Sequence, residues 1–301
     1  ISSAAKFGLA LPVPAPLCDD SSNTGDCQTR FRAGLQAPFR FRIADRGETN
    51  PGLLRDEDWD ETSDYLRTVR YIEYGSRSEP VFGRVGELGA ISIGHGTIVN
   101  NYFNVVSPDH YRAGFNAEVE TPHGGGAALV NNVVRPTVVG GRGYLRPGSW
   151  FAPESGVSKL SVGVSLVGDV SAPERLARRS SNQPRVRDDR HPAVSEQRTT
   201  GIGGIDMSLP VVDTDPLTLV PYSDLNVHFG VGHGVHAGVL AESRPVEVVE
   251  LSSRLEFRAL DDRYLPDYFG PLYEIDRYQF LGWGVLLPQP KLRVAAESRE
   301  E

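Results

Sequence analysis

Apolar and polar residues alternate strictly over positions 30–44, RFRAGLQAPFRFRIA. A period of two is typical of a β-strand whose two faces meet different environments. Soluble strands usually end after about 5 or 6 residues, whereas a strand that crosses a bilayer at a tilt needs about 9 to 11. The length of this run therefore predicts a strand that crosses a membrane, with its phenylalanines toward lipid and its arginines toward water.

The same alternation returns along the chain. It covers residues 111–119, 160–166, 205–211, 217–229 and 251–259. Clusters of turn-forming residues, such as SRSEP, PHGGG and VDTDP, separate the predicted strands. Strands at nearly regular spacing are typical of an antiparallel meander. We predict an all-β fold, an antiparallel up-and-down transmembrane β-barrel of about 12 to 14 strands.

Charged residues occupy the polar face of these predicted strands, and most of them are arginines. The residues expected to line the lumen are Arg30, Arg32, Arg40, Arg42, Arg112, Glu118, Arg254, Glu256 and Arg258. In an open pore, a cationic lining would favour anionic solutes. Alternatively, the same groups pair with one another and fill a narrow barrel. The sequence leaves both interpretations open.

The composition excludes some classes of function. The 301 residues carry a formal net charge of −8 with a pI near 5.5, so the chain lacks the basic stripe of a nucleic-acid-binding protein. No apolar run approaches the roughly 18 residues of a transmembrane helix. Cys18 and Cys27 enclose a short polar loop, which predicts a disulfide and an oxidising compartment. No cofactor is predicted.

Two polar segments interrupt the alternation and are predicted to be long loops. Residues 45–64 are acidic, and residues 171–200 are rich in arginine and have no apolar period. Long loops alternating with short turns are typical of membrane barrels. We therefore predict a single β-barrel domain over residues 1–287, followed by a polar tail at residues 288–301.

These features resemble bacterial outer-membrane β-barrel proteins as a class. The resemblance spans about residues 5–280 and rests on the alternation, on glycine and tyrosine usage and on the layout of the loops. It implies a location in the outer membrane of a Gram-negative bacterium, with lipid and lipopolysaccharide as partners. It also implies a non-catalytic role, as a passive pore for small anionic solutes or as a structural envelope protein.

The end of the chain departs from this class. Barrels of the class commonly end on an aromatic residue, whereas this chain ends KLRVAAESREE. Two interpretations follow. Either the chain is a segment of a longer barrel protein, or residues 278–287 form the closing strand and a tail follows.

Two groups of residues are candidate metal ligands. Asp56, Asp58 and Asp60 have the spacing that begins an EF-hand calcium loop, but the glycine and the glutamate that complete such a loop are missing. His228 and His236 are expected to point inward, and two imidazoles with a nearby carboxylate can hold zinc. For both groups the preferred interpretation is the simpler one, a solvated acidic loop and polar lumen residues without metal.

Two alternative functions remain from the sequence. The first is a secreted, soluble β-sandwich or jelly roll that binds carbohydrate or a cell surface through the aromatic residues of segment 264–278. The second is a membrane-barrel hydrolase that uses His95, which lies between two glycines in GHGT, or the pair His228 and His236. No GxSxG motif accompanies His95, and no serine can be paired with it from the sequence.

Overall fold

The computed structural model describes residues 2–12, 31–42, 69–77, 79–106, 111–180, 183–184, 192–214, 216–246, 249–281 and 289–296. The strands in these ranges are β1 (Ser2–Pro12), β2 (Phe31–Arg42), β3 (Val69–Tyr74), β4 (Val81–Gly86), β5 (Ile91–Ile93), β6 (Val99–Tyr102), β7 (Gly114–Thr121), β8 (Gly124–Val130), β9 (Val138–Leu145), β10 (Ser161–Leu176), β11 (Arg178–Ser180), β12 (Gln183–Pro184), β13 (Val194–Ser208), β14 (Val212–Thr214), β15 (Leu217–His228), β16 (Gly232–Val246) and β17 (Val249–Leu260). The helices are α1 (Gly148–Phe151), α2 (Tyr273–Asp276) and α3 (Lys291–Ala296), with a 3-10 turn at Gly156–Lys159. None of the helices in the described ranges has the length and apolarity needed to cross a membrane.

Most of the strands form one antiparallel meander. Its order is β1-β2-β3-β4-β7-β8-β9-β10-β13-β15-β16-β17, and β14 pairs with β15 to make a 13-stranded sheet. The pairs β5–β6 and β11–β12 are separate two-stranded sheets. The prediction of an all-β antiparallel fold is therefore confirmed. Among the described residues no ladder joins β1 to β17, so these two strands end the sheet.

The sheet carries its apolar residues on the outside. In the β10–β13 pair, Leu166 and Ile205 are 59% and 58% exposed, whereas Ser165, Asp169 and Asp206 are buried. The alternation seen in the sequence is thus present, with the polar residues facing inward. The exposed apolar strand residues include Val81, Val85, Val119, Val162, Val164, Leu166, Val170, Ile205, Met207, Leu225, Val227, Val235, Val239, Leu251, Leu255 and Phe257.

Two segments of the chain pack on the inner side of the sheet. The first is the inner hairpin, residues 91–102, formed by β5 and β6. The second is the C-terminal segment, residues 261–281 and 289–296, which contains α2 and α3. A parallel bridge between Val99 and Phe269 joins the two segments. They form one buried apolar cluster with inward-facing residues of the sheet, and the cluster contains Leu88, Ile91, Ile93, Ile98, Val99, Tyr102, Leu129, Val138, Val167, Ala172, Ile202, Val231, Tyr268, Phe269, Tyr273, Leu292 and Ala295.

Asn104 fixes the exit of the inner hairpin to the sheet. Its side-chain amide donates to the backbone carbonyls of Gly86, Arg112 and Asn131 at 3.2, 2.8 and 3.0 Å. Its Oδ1 accepts from the backbone amide of Leu88 at 2.7 Å. One buried side chain therefore satisfies backbone groups from several loops and strand ends, which would otherwise be costly to bury.

Glu274 of α2 connects the inner hairpin, the sheet and the C-terminal segment. The hydroxyl of Tyr102 and the guanidinium of Arg112 donate to its carboxylate, and Nδ2 of Asn131 donates at 3.0 Å. Burial alone would raise the pKa of Glu274, but the guanidiniums of Arg112 and Arg277 hold this pKa below its ordinary value. Glu274 is therefore an ionised carboxylate whose charge is balanced by two guanidiniums.

Residues 171–200, which the sequence predicts to be a loop, are largely strand in the part that the structure describes. β10 continues to Leu176, β13 begins at Val194, and β11 and β12 lie between them. This extension carries exposed charges, such as the Arg175–Glu196 ion pair at 3.2 Å. Apart from Ala172 and Pro173, the described residues of the extension from 171 to 176 and from 194 to 199 are exposed or half-buried, so the segment has no apolar period that predicts a strand. The other predicted loop, residues 45–64, lies outside the described residues.

Residues 288–301, predicted to be a polar tail, contain the packed helix α3. Leu292 and Ala295 of this helix are each 1% exposed. Their spacing of three places them on one face of a helix, a signal that is weak in so short a segment. Lys291 is buried as well and lies 3.8 Å from Asp276. Because residues 288–301 are mostly polar, the sequence does not predict that α3 packs in the core.

Residues 278–287, the predicted closing strand, add no strand in the part that is described. Tyr278 lies in the turn that follows α2, and Phe280 pairs with Gln289 in an isolated bridge. Residues 282–288 lie outside the described residues. The path of the sheet therefore ends at β17.

The stability of the chain is expected to rise as Lys291 loses its proton. Burial lowers the pKa of Lys291 to about 8, against the opposing effect of Asp276, while the unfolded chain keeps the ordinary value of about 10.4. Between these pH values the unfolded state binds more protons than the folded state, so the free energy of unfolding increases with pH.

Lys291→Met removes this titration. We expect the variant to be more stable than the wild type below a pH of about 8, and the difference to narrow as the pH rises toward about 10.4. Urea unfolding of both proteins across this range measures the difference. A difference that stays constant with pH would contradict the assignment to Lys291.

Candidate functional site

The turn of the inner hairpin presents His95 to the sheet. Gly94 and Gly96, on either side of it, have φ values of 60° and 76°. Glycine adopts these left-handed conformations without steric cost, so GHG suits this tight turn. A Cβ at Gly94 would lie 3.1 Å from Cδ of Arg142, which shows how closely the turn approaches β9.

Two residues of β15 orient His95. Nδ1 of His95 lies 2.8 Å from Oδ1 of Asp224, and its ring stacks on Tyr222 with the centroids 4.5 Å apart. The side chains of His95 and Asp224 are 8% and 2% exposed. With Nδ1–H donating to the carboxylate, Nε2 keeps its lone pair, as in a general base. Among the described residues no serine, threonine or cysteine hydrogen bonds to His95, so the imidazole has no paired nucleophile.

Arg142 and Asp206 form a bidentate ion pair beside His95. Nε and Nη2 of Arg142 donate to Oδ2 and Oδ1 of Asp206 at 2.9 and 2.5 Å. Gly163 of β10 leaves room for the pair, because a Cβ there would lie 2.7 Å from Oδ2 of Asp206. The charge of this buried aspartate is therefore balanced by a guanidinium on a neighbouring part of the sheet.

His95, Asp206 and Asp224 come together although they belong to three separate elements. Their ligand atoms lie within 4.8 Å of one another. They form the one group of three or more histidine, cysteine or acidic residues with metal-ligand spacing in the described part of the chain. The inner hairpin, β13 and β15 thus converge on a single polar site.

A cavity of about 650 Å³ adjoins this site. Its lining includes His95, Arg142, Ser161, Arg146 and Lys159. The volume is within the range of small-molecule sites in proteins. Hydroxyl groups and cationic side chains therefore surround a space that a small polar molecule could enter.

Glu256 of β17 is the centre of a second polar group. Tyr222 and Arg258 donate to its carboxylate, and Nδ1 of His236 lies 3.2 Å from Oε1. The side chain of Glu256 is 5% exposed. Because Tyr222 also stacks on His95, this group is continuous with the site around the inner hairpin.

The predicted lumen residues whose side chains are described all take part in ion pairs. These pairs are Arg32–Glu73, Arg77–Glu118, Arg112–Glu274, Arg254–Glu256 and Arg258–Glu256. Arg30 and the side chains of Arg40 and Arg42 lie outside the described part.

His228 and His236 are 1% and 0% exposed, so both side chains are buried. They have different partners, since Nε2 of His228 lies 2.7 Å from Oγ1 of Thr200 whereas His236 faces Glu256. In the described ranges neither belongs to a group with metal-ligand spacing. The remaining predicted metal and disulfide residues lie outside the described residues, and they are Asp56, Asp58, Asp60, Cys18 and Cys27.

Four aromatic residues of segment 264–278 lie in the interior, although Leu272 and Ile275 of the same segment are exposed. Tyr264, Tyr268, Phe269 and Tyr273 are between 0% and 3% exposed. The rings pack on one another, with the centroids of Phe269 and Tyr273 4.7 Å apart. A sugar-binding platform needs accessible rings, so these aromatics do not support the carbohydrate-binding alternative.

Sequence reasoning identified His95 as a candidate but did not pair it with its partners. Asp224 is 129 residues away along the chain, and no spacing rule connects the two. A signal was present, because Asp206 lies between Ile205 and Met207 and Asp224 directly precedes Leu225, so both acids belong to the polar face of alternating runs. Such inward-facing acids need a buried partner. Which residue supplies it depends on how the inner hairpin folds back.

Comparison with known proteins gives no family assignment. No protein-family model matches the chain, and no curated protein matches it at a significant level. The inference of function therefore rests on the polarity of the sheet and on the geometry of its interior.

Proposed function

We propose that the chain is an outer-membrane β-barrel with a filled interior, and that it serves as a structural envelope protein. The observation that carries this proposal is the exposed apolar face of the sheet, from Val81 on β4 to Phe257 on β17. Large continuous apolar surfaces are rare on soluble monomers, because their exposure to water is unfavourable. In a bilayer, contact of this apolar face with lipid is favourable. Membrane barrels combine such an outer face with a polar inner face.

The lengths of the strands support a membrane location. β10, β13, β15 and β16 have 16, 15, 12 and 15 residues. A tilted strand needs about 9 to 11 residues to cross a bilayer. β10 carries exposed apolar residues up to Val170 and charged residues beyond Pro173. This arrangement fits a hairpin that leaves the membrane and continues into water.

The packing of the interior favours a structural role over a passive pore. Tyr102 of the inner hairpin and Phe269 and Leu292 of the C-terminal segment are at most 1% exposed. They pack against Leu129 and Ile202 of the sheet, on the side where a lumen would be. Within this cluster, side chains at native packing leave little space for solute, and the cavity beside His95 lies outside the cluster.

Pairing of β1 with β17 would close the sheet. The two strands have 11 and 12 residues, so their lengths match. In lipid an unpaired strand edge leaves backbone donors and acceptors without water, at a cost of several kcal/mol per group. The proposed membrane environment therefore itself favours closure.

Electrophoresis in SDS with and without heating, after refolding in detergent, tests the proposal. A closed barrel resists SDS until it is heated, because it has no open edge. We expect the unheated and heated samples to migrate differently. A protein that dissolves in plain buffer and shows no such shift would contradict the membrane proposal and favour the secreted soluble alternative.

Conductance measurements distinguish the two membrane roles. A filled interior predicts no stable current steps when the heat-shifting protein is added to a planar bilayer. Regular anion-selective steps would overturn the structural role and support a passive pore for small anionic solutes.

A further inference from the structure

We propose that His95, Asp206 and Asp224 form a binding site for a divalent cation of the Zn²⁺ type, between the inner hairpin and the sheet. One imidazole nitrogen and two carboxylate oxygens are ligands that Zn²⁺ accepts together. The donor atoms lie within 4.8 Å of one another and come from the GHG turn, β13 and β15. Zinc lies about 2.0 to 2.2 Å from nitrogen and oxygen ligands, so these side chains would move inward to coordinate one ion.

A buried oxygen without a partner points to the same place. Asp224 is 3% exposed, and while its Oδ1 faces His95, its Oδ2 has no hydrogen-bond partner. Buried polar atoms in native proteins are nearly always satisfied by protein, water or an ion. A cation at this position would satisfy the oxygen.

The charges around the site favour a cation. Asp206 is compensated by Arg142 but keeps lone pairs for a metal, because a carboxylate offers about four acceptor positions. Among the described residues the only ion-pair partner of Asp224 is His95. Arg254 of β17 faces the same turn, since its Nη2 would lie 3.5 Å from a Cβ at Gly96, and it pairs with Glu256. The buried charge of Asp224 is thus the one that a bound cation would neutralise.

The adjoining cavity provides room for a further ligand. Three protein ligands leave a position on Zn²⁺ open for water or for an anionic oxygen. His95 itself lines the cavity, together with Asp213 and with Arg142, Arg146 and Lys159, which pair with Asp206, Glu120 and Asp213. A molecule that carries a carboxylate or phosphate group has the chemistry that fits this cation and its basic neighbours. The cation site does not depend on membrane insertion, because it rests only on contacts inside the sheet.

Isothermal titration of the full chain, refolded in detergent, with Zn²⁺ alone tests the site. We expect one equivalent to bind to the wild type. Loss of a residue that only supports a metal ligand typically weakens metal affinity about 10- to 100-fold. Because His95 and Asp224 would bind the ion directly, we expect His95→Ala and Asp224→Asn each to weaken Zn²⁺ binding by more than this. Asp224→Asn keeps the shape of the side chain and one acceptor oxygen, so it alters the ligand charge with little change in packing.

His123→Ala is the matched control. His123 lines the same cavity, where it stacks on Trp150 with the centroids 5.9 Å apart, but it is not in the ligand group. This variant should bind Zn²⁺ as the wild type does. Binding that survives in both ligand variants, or that is lost in His123→Ala, would overturn the proposal.

X-ray absorption on the zinc-loaded wild type keeps the test independent of how the variants fold. The expected spectrum has one imidazole and otherwise oxygen neighbours. Two or more imidazoles per zinc, or a wild type that binds no zinc, would overturn the site.

Discussion

Arg277→Ala is expected to lower the free energy of unfolding by about 3 to 5 kcal/mol. Nη2 of Arg277 donates to Oδ1 of Asp169 at 3.1 Å and to the carbonyl of Ser171 at 3.0 Å. The side chains of Arg277 and Asp169 are 3% and 0% exposed. Removing one partner of a buried pair leaves the other charge uncompensated, which costs far more than the net contribution of the pair. After the change Asp169 keeps the hydrogen bond from the hydroxyl of Tyr273 at 2.8 Å. This hydroxyl is uncharged, so it does not neutralise the carboxylate.

Arg175→Ala is the control for this prediction. Arg175 also pairs with an acid, Glu196 at 3.2 Å, but the two side chains are 61% and 52% exposed. Exposed pairs contribute about 0 to 1 kcal/mol. Denaturant unfolding followed by far-UV circular dichroism measures both variants. Equal losses in the two would show that burial of Arg277 has no special role in stability.

Removal of both buried charges separates the cost of an unpaired charge from the contribution of the pair. Asp169→Leu combined with Arg277→Met should destabilise less than the sum of the two single changes, since hydrophobic replacements of a buried pair are often nearly neutral. A strictly additive result would mean that the two residues are not coupled. The structure predicts strong coupling, because this pair holds the C-terminal segment to β10.

Leu166→Arg is expected to cost about 2 to 4 kcal/mol when the protein is unfolded from a bilayer. Leu166 is 59% exposed and lies in the centre of the apolar stretch of β10, between Val162 and Val170. In water, a change at so exposed a position usually stays within about 0.5 kcal/mol. The size of the effect therefore reports which solvent the outer face meets.

Phe151→Arg is the matched control for Leu166→Arg. Phe151 is an apolar residue that is 85% exposed, but it lies in α1, outside the sheet. Its replacement should have little effect in either solvent. A small effect at both positions would place the outer face in water and contradict the membrane proposal, whereas a large effect at Leu166 alone would support it.

The sequence predicts those parts of the fold in which apolar and polar residues alternate with a period of two. In β10 and β13 the alternation identified the strands and also the residues that share a face. In the extension of the same hairpin beyond Asp169 the apolar period is missing, so the sequence predicts a loop where the structure has strands. Tyr102 illustrates a different limit. No local pattern in the sequence distinguishes it from an outward-facing aromatic residue, but it is buried beside Glu274 in the interior.

The sequence by itself determined that the chain is all-β and antiparallel, and that one face of its strands is apolar while the other is polar. It could do so because side chains alternate every two residues along a strand, whatever the rest of the chain does. Only the tertiary structure decided what fills the inner side. The contacts His95–Asp224 and Arg277–Asp169 join residues 129 and 108 positions apart. Such contacts arise because the inner hairpin and the C-terminal segment fold back onto the sheet. The alternation of residues along a single strand carries no information about how distant segments pack.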